Sequence, residues 1–290
     1  MAARLRKQQA RPSLLRAYAW RALQNAARSL PVPDLGITNL ELTLPHLPRH
    51  LDGLTILHVT DLHLTWGDHP ALTLPELLAD VQCDLTVYTG DMVEDEAGLD
   101  ALPPLLQAMR PRTAAFAVLG NHDHYHYRHE TGEGPLAADI GPLLETLAAA
   151  SIDVLNNESR VTFDGALHVV GVDDPALGRD DLSAAFAAVD AAAPTLLLAH
   201  SPDILLRLDP YKPGLVLAGH THGGQLRLPG LGPLGSVSVL PRRYSMGVYT
   251  YNGVQTYVSR GVGTSGAPAR LYCPPEVAVI TLRSPLVAGA

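Results

Sequence analysis

Five apolar runs punctuate the chain, and each ends in a polar cluster. Residues 54–60 (LTILHVT), 85–89 (LTVYT), 114–119 (AAFAVL), 195–199 (TLLLA) and 214–218 (GLVLA) are short, continuous and aliphatic. That is the pattern of strands buried on both faces. Residues 37–44 (ITNLELTL) alternate instead, as in a strand with one face in solvent. Apolar positions at helical spacing predict helices over 73–81, 99–109, 136–150 and 181–191. Strands are expected over 246–251, 254–259 and 277–282, the first two joined by the hairpin signal Asn252-Gly253. The rhythm is α/β with a strand-rich C-terminal part. Ahead of it, Leu14, Leu15, Tyr18, Ala22, Leu23, Ala26 and Leu30 form a helical stripe, with Arg16, Arg21 and Arg28 away from it. Ser13 can cap this helix and Pro31 stops it. The chain therefore divides into an N-terminal arm, residues 1–33, and a single domain, residues 34–290.

Charge sharpens that division. The chain has 290 residues, 47% of them hydrophobic, which suffices for one large core. Its net charge is −8, yet seven basic and no acidic residues precede Asp34, leaving 14 basic against 29 acidic beyond it. The basic amphipathic arm either lies on an anionic membrane surface or packs on the domain. The acidic body is a poor match for duplex nucleic acid, and no nucleic-acid partner is expected. No apolar run approaches the roughly 20 residues of a membrane span, and neither a secretory apolar region nor an Arg-Arg pair is present. A cytoplasmic protein is expected, with residues 13–30 as its option for peripheral membrane contact. Cys83 and Cys273 form no CxxC, so neither a disulfide framework nor a thiolate zinc site is indicated.

The polar clusters carry the chemistry. Asp61-Leu62-His63 ends the first buried run, Gly90-Asp91 follows the second, and Gly120-Asn121-His122-Asp123 follows the third. His200 follows the fourth run, and Gly219-His220-Thr221-His222-Gly223-Gly224-Gln225 the fifth. Ligands of α/β folds bind beyond the carboxyl ends of strands, so these clusters should converge. Singly, such an Asp is usually a turn residue and such a His a structural one. Together they gather carboxylates, an amide and several imidazoles with no thiolate, a donor set for zinc, iron or manganese. On an extended backbone Asp61 and His63, or His220 and His222, would point the same way and chelate one ion or flank two. Gly90, Gly120 and Gly219 would let the backbone turn sharply before a ligand.

The five clusters resemble the signature of the calcineurin-like metallophosphoesterases: DxH, GDxx(D/E), GNH(D/E), a lone His and GHxH. A bacterial, membrane-associated phosphodiesterase branch is similar further afield, in Leu155-Asn156-Asn157, Gly171 to Pro175, Ala199 to Asp203, Gly219 to Gln225 and Cys273 to Glu276. The resemblance implies an αββα four-layer sandwich with two central mixed β-sheets. It implies two divalent metal ions, manganese, iron or zinc. One is held by Asp61, His63 and His222, the other by Asn121, His200 and His220, and Asp91 is shared between them. It further implies that a metal-bridging hydroxide attacks a phosphoester while His122 protonates the leaving group, with Asp123 orienting His122. Glu94 ends the GDxx(D/E) element, Gly90-Asp91-Met92-Val93-Glu94, and is assigned no ligand role.

The expected activity is that of a phosphodiesterase or pyrophosphatase on a lipid- or nucleotide-linked substrate. The alternatives are a broad phosphomonoesterase and a catalytically silent metal-binding scaffold. Arg242 and Arg243 either bind a second phosphate of the substrate or sit on a solvated hairpin. His124, His126 and His129 either contact substrate or a further metal, or belong to a solvated loop over the site. Asp173 and Asp174 read as a turn before Pro175.

Overall fold

A computed structural model of the chain describes residues 32–65, 67, 69–126 and 136–285. The helical stripe over 13–30, and His129, lie outside the described residues. In chain order the strands are β1 (Gly36–Thr43), β2 (Thr55–Val59), β3 (Leu85–Thr89), β4 (Ala114–Val118), β5 (Tyr125–His126), β6 (Leu136–Ala137), β7 (Ile152–Val154) and β8 (Glu158–Thr162). There follow β9 (Leu167–Gly171), β10 (Thr195–Leu198), β11 (Leu215–Ala218), β12 (Arg227–Leu228), β13 (Gly232–Pro233), β14 (Gly247–Tyr251), β15 (Val254–Val258) and β16 (Glu276–Arg283).

Two six-stranded mixed sheets result, ordered β1-β16-β2-β3-β4-β7 and β14-β15-β11-β10-β9-β8. In the first, β2, β3, β4 and β7 run parallel, and β16 lies antiparallel to β2 and parallel to β1. In the second, β9, β10, β11 and β15 run parallel between two antiparallel edge strands. Alternation along each strand divides the core. Ile56, Leu85, Val87 and Val118 of the first sheet pack against Leu196, Leu198, Leu215 and Leu217 of the second. Leu57, Tyr88 and Ala117 face the other way, toward the helices Glu96–Ala108 and Gly141–Ala149. Leu197 and Val216 pack under the helix Leu182–Ala185 and the turn Pro202–Leu206. The molecule is thus the four-layer αββα sandwich expected from the resemblance.

The departures are local. The expected helix over 136–150 begins only at Gly141, because Leu136–Ala137 pairs with Tyr125–His126 as a two-stranded ribbon. The expected helix over 181–191 is regular only over Leu182–Ala185. Beyond it the amides of Ala187, Val189 and Ala193 each reach back three residues, so the chain continues as successive tight turns. The pattern did not predict β7, β8 or β9. The Asn252-Gly253 hairpin forms as expected, with positive φ at both residues joining β14 to β15.

Candidate metal centre

The polar clusters meet where the carboxyl ends of both sheets abut. Asp61 and His63 follow β2, Asp91 follows β3 and Asn121 follows β4, while His200 follows β10 and His220 and His222 follow β11. Among the described residues two groups of donors span the sheets, Asp61 with His63 and His222, and Asp91 with His200 and His220, beside a third, His63 with Glu94 and His122. The ligand atoms of each lie within 4.8 Å of one another. Asp91 Oδ2 adjoins the two spanning groups, 3.4 Å from His63 Nε2 and 3.2 Å from His200 Nε2.

An extended backbone does not aim these side chains, contrary to the sequence expectation. Asp61 (φ 52°), His63 (47°), Asp91 (54°), His220 (69°) and His222 (49°) are all left-handed. Such kinks are uncommon outside glycine and collect at functional sites, where surrounding bonds hold them. Those bonds are present. The Asp61 amide donates to Gly90 O at 3.0 Å, His63 to Asp91 O at 2.9 Å and Gly263 to Asp61 O at 2.7 Å. Gly120 is not a sharp turn either, since its φ is −110°. It permits close approach: a Cβ there would fall 2.2 Å from Asp91 Oδ1, and one on Gly219 2.3 Å from Asp61 Oδ2.

Proton bookkeeping shows what the centre accepts. His63 Nδ1 lies 2.8 Å from Glu94 Oε2, and His200 Nδ1 lies 2.7 Å from the Thr89 carbonyl. Both partners only accept, so both Nδ1 atoms carry hydrogen and each ring turns its Nε2 inward. There imidazole nitrogens from the two sheets converge in pairs: His63 Nε2 stands 3.0 Å from His222 Nε2, and His200 Nε2 stands 3.0 Å from His220 Nδ1. Asn121 Oδ1 is buried without a hydrogen-bond partner, and Asn121 lines the same cavity as Asp91 and His220. Burial holds His220 neutral, its pKa pushed down to about 3, and holds His222 well below the ordinary histidine range. Burial would do the same to His200, but the Asp91 charge and hydrogen bond pull it well above. Converging imidazoles, buried carboxylates and an orphaned amide oxygen fit divalent cations, and imidazole with carboxylate is the donor chemistry of zinc, iron or manganese.

His122 sits beside the centre on the cavity wall, its Nε2 3.4 Å from Ser265 Oγ. Its Nδ1 is held at 2.8 Å by Glu94 Oε2, the same oxygen that binds His63. Glu94, given no role from sequence, therefore does what was expected of Asp123. Asp123 instead accepts the backbone amides of Gly120, Asp91 and Met92, each at 2.8 Å, because the short helix Asn121–His124 folds its carboxylate back beneath the Asp91 turn. Burial alone would raise the Glu94 carboxyl, but hydrogen bonds from His122 and His63, with their charge, bring it down to about 2. An isolated bridge between Leu64 and Val93 sets His63 and Glu94 side by side. The acid three places after Asp91 was the visible signal for it.

Arg270 is a second residue that sequence reasoning passed over. It is buried, donates to the carbonyls of Arg260, Gly261 and Gly263, and lies 3.3 Å from His222 Nδ1. The 48 residues separating it from His222 left no local pattern to read.

The cavity, about 460 Å³, is walled by Asn121, His122, Gln225, Leu226, Val237 and Ser265 among others. Arg242 and Arg243 are exposed and are not among the residues that line it. The reason is a tight turn, Arg242–Tyr244, that stacks the Arg243 guanidinium over the Tyr244 ring at 4.5 Å. His124 is no solvated loop residue, since it is buried and bonds Asp173 at 2.6 Å. His126 bonds the Glu94 carbonyl, and Asp174 caps the turn at Ala176 and Leu177. Both cysteines are free and buried.

A family model described as calcineurin-like phosphoesterase matches residues 54–224. The chain is 29% identical over 82% of its length to the uncharacterized metallophosphoesterase YkuE of Bacillus subtilis, covering 82% of that protein. It is 34% identical over 69% of its length to the phosphodiesterase YaeI of Escherichia coli, covering 70% of it. It is 25% identical over 85% of its length to the UDP-2,3-diacylglucosamine pyrophosphatase LpxG of Chlamydia muridarum, covering 88% of it. The matched model takes in every strand end that carries a donor, and the chain belongs to the calcineurin-like phosphoesterases, metal-dependent hydrolases of phosphoester bonds.

Proposed function

We propose that residues 34–290 form one domain that works as a two-metal phosphodiesterase or pyrophosphatase on a lipid- or nucleotide-linked substrate. The observation that carries the reading is the pair of donor groups meeting at Asp91 beside His122 on one cavity wall. Asp61, His63 and His222 would hold one ion, Asn121, His200 and His220 the other, and Asp91 would serve both. Bound there, two divalent ions supply positive charge for phosphoryl oxygens and make water nucleophilic near neutral pH. The chain's own contribution is to place and protonate. Glu94 fixes the His122 ring with Nδ1 as donor, leaving Nε2 on the cavity wall. With both ring nitrogens protonated, His122 gives its Nε2 proton to the departing oxygen as water adds to phosphorus and the ester P–O bond breaks, and the proton shed by that water restores the ring. Asp123 acts beneath the site by holding the Asp91 turn. A pyrophosphate-linked lipid is favoured by the name of the Chlamydia relative and by the apolar wall at Leu226 and Val237.

The test is hydrolysis of bis(p-nitrophenyl) phosphate and p-nitrophenyl phosphate by protein stripped of metal and reloaded with manganese, zinc or iron. Metal-dependent diester cleavage is expected. His122→Ala should lose turnover by about 100-fold or more while retaining metal. Asp91→Asn and His220→Ala should lose metal and activity together. Cleavage of the monoester alone would replace this reading with a phosphomonoesterase, and no turnover despite bound ions would leave a silent scaffold.

A further inference from the structure

Residues 210–275 contain six basic residues and no acidic one, in a chain of net charge −8. Arg260 and Arg270 are engaged internally, but Arg242 and Arg243 are exposed. The same stretch holds an unusual concentration of exposed apolar side chains. Leu231, at the tip of the β12–β13 ribbon, is 78% exposed, and Leu234, Val237, Val239 and Val248 follow, with Val237 at 58%. Tyr272, 66% exposed, shares a groove with Arg227 and Leu228 of the ribbon. The single carboxylate bonded to this loop, Asp203, is taken up by Ser238 Oγ and the Val239 amide. Val237 stands on the rim of the cavity that holds His122 and the metal donors.

Exposed aliphatic side chains at a ribbon tip, an exposed tyrosine, arginines and an absence of acidic residues are what an interfacial surface needs. Aliphatic tips enter the acyl boundary, Tyr sits at headgroup level and Arg meets lipid phosphates. The apolar tips Leu231, Val237, Val239 and Val248 are exposed rather than set in the groove at Tyr272, which favours a lipid surface over a shaped protein partner.

We propose that the surface built from the β12–β13 tip, residues 234–248 and Tyr272 docks on an anionic phospholipid bilayer and seats the cavity mouth at the headgroup layer. The proposal rests on the phosphoester reading of the cavity, and it names the phase in which that substrate is met.

The full chain is sedimented with vesicles of phosphatidylcholine alone, and with vesicles containing about one third phosphatidylglycerol. Binding to the anionic vesicles, weakened by salt, is expected. The double variant Leu231→Ser/Val239→Ser should partition at least about tenfold less, and Arg242→Ser/Arg243→Ser likewise. Both should keep wild-type cleavage of soluble bis(p-nitrophenyl) phosphate, which also reports that they fold. In a second measurement, Leu231→Trp should shift its emission to the blue on adding anionic vesicles, while Val161→Trp, on the edge strand β8, should not. No binding to either vesicle overturns the proposal. So does binding that both loop variants retain, which would assign the membrane contact to the arm of residues 1–33. Diester cleavage and vesicle binding are separate readouts, so loss of either reading is told apart from loss of the other.

Discussion

Glu94 Oε2 serves two imidazoles at once, His63 toward the metal donors and His122 toward the cavity. Glu94→Gln keeps the shape and an acceptor oxygen but removes the negative charge that both Nδ1–H groups face. Metal affinity and kcat should each fall about 10- to 100-fold, measured by calorimetric titration of manganese and by diester turnover. If only kcat falls, His63 does not depend on Glu94. Arg270 is the counterpart on the other side. Arg270→Met strands the carbonyls of Arg260, Gly261 and Gly263 and should cost about 1–3 kcal/mol in unfolding free energy, with a drop in metal affinity. Unchanged metal affinity would reduce Arg270 to a loop brace. At this scale the sequence was most legible where side chains follow their own strand. Asp61, Asp91, Asn121 and His200 could be placed from the ends of apolar runs alone. Asp123 and Glu94 were exchanged because hydrogen bonding is decided by the kinked backbone, and left-handed residues at Asp61 and His63 do not announce themselves.

Along the strands, β2 carries a buried titratable group away from the centre. His58 bonds Thr89 Oγ1 through Nε2, its Nδ1 is buried without a partner, and burial pushes its pKa down to about 3. The unfolded chain therefore takes up a proton near pH 6.5 that the folded chain refuses. The contribution of His58 is intact above about pH 6.5 and is lost as pH falls toward 3, at about 1.4 kcal/mol per unit. His58→Gln should flatten the pH dependence of unfolding in that window relative to wild type. An equal slope in both would show that His58 accepts its proton in place. Between strands, Gly120 is a tight junction, and Gly120→Ala should disorder the Asp91 turn, lowering metal content as well as activity. The central strands were readable because continuous aliphatic runs have few alternatives. Strand β7, three residues long, and β8, an edge strand of sequence ESRVT, carry too little pattern to stand out.

Viewed whole, the metal centre is a seam between two sheets. Asp61, His63, Asp91 and Asn121 come from one and His200, His220 and His222 from the other. Ions bound there would stabilise the folded state by about 2.7 kcal/mol at a hundredfold excess over Kd, a gain of several degrees in Tm. Scanning calorimetry with and without manganese should show that gain in the wild type and not in Asp91→Asn. Away from the seam the sheets are held by their shared apolar face, and Leu198→Ala there should cost about 2–5 kcal/mol without changing metal stoichiometry.

The sheet order has a consequence for synthesis. Strand β16 lies between β1 and β2, so the first sheet stays split until the last strand arrives. The turn bearing Asp61 and His63 then hangs on an open edge, although every donor has long since left the ribosome. Metal loading would wait for the closing strand, and a nascent chain stalled before Glu276 would carry every candidate ligand without a centre.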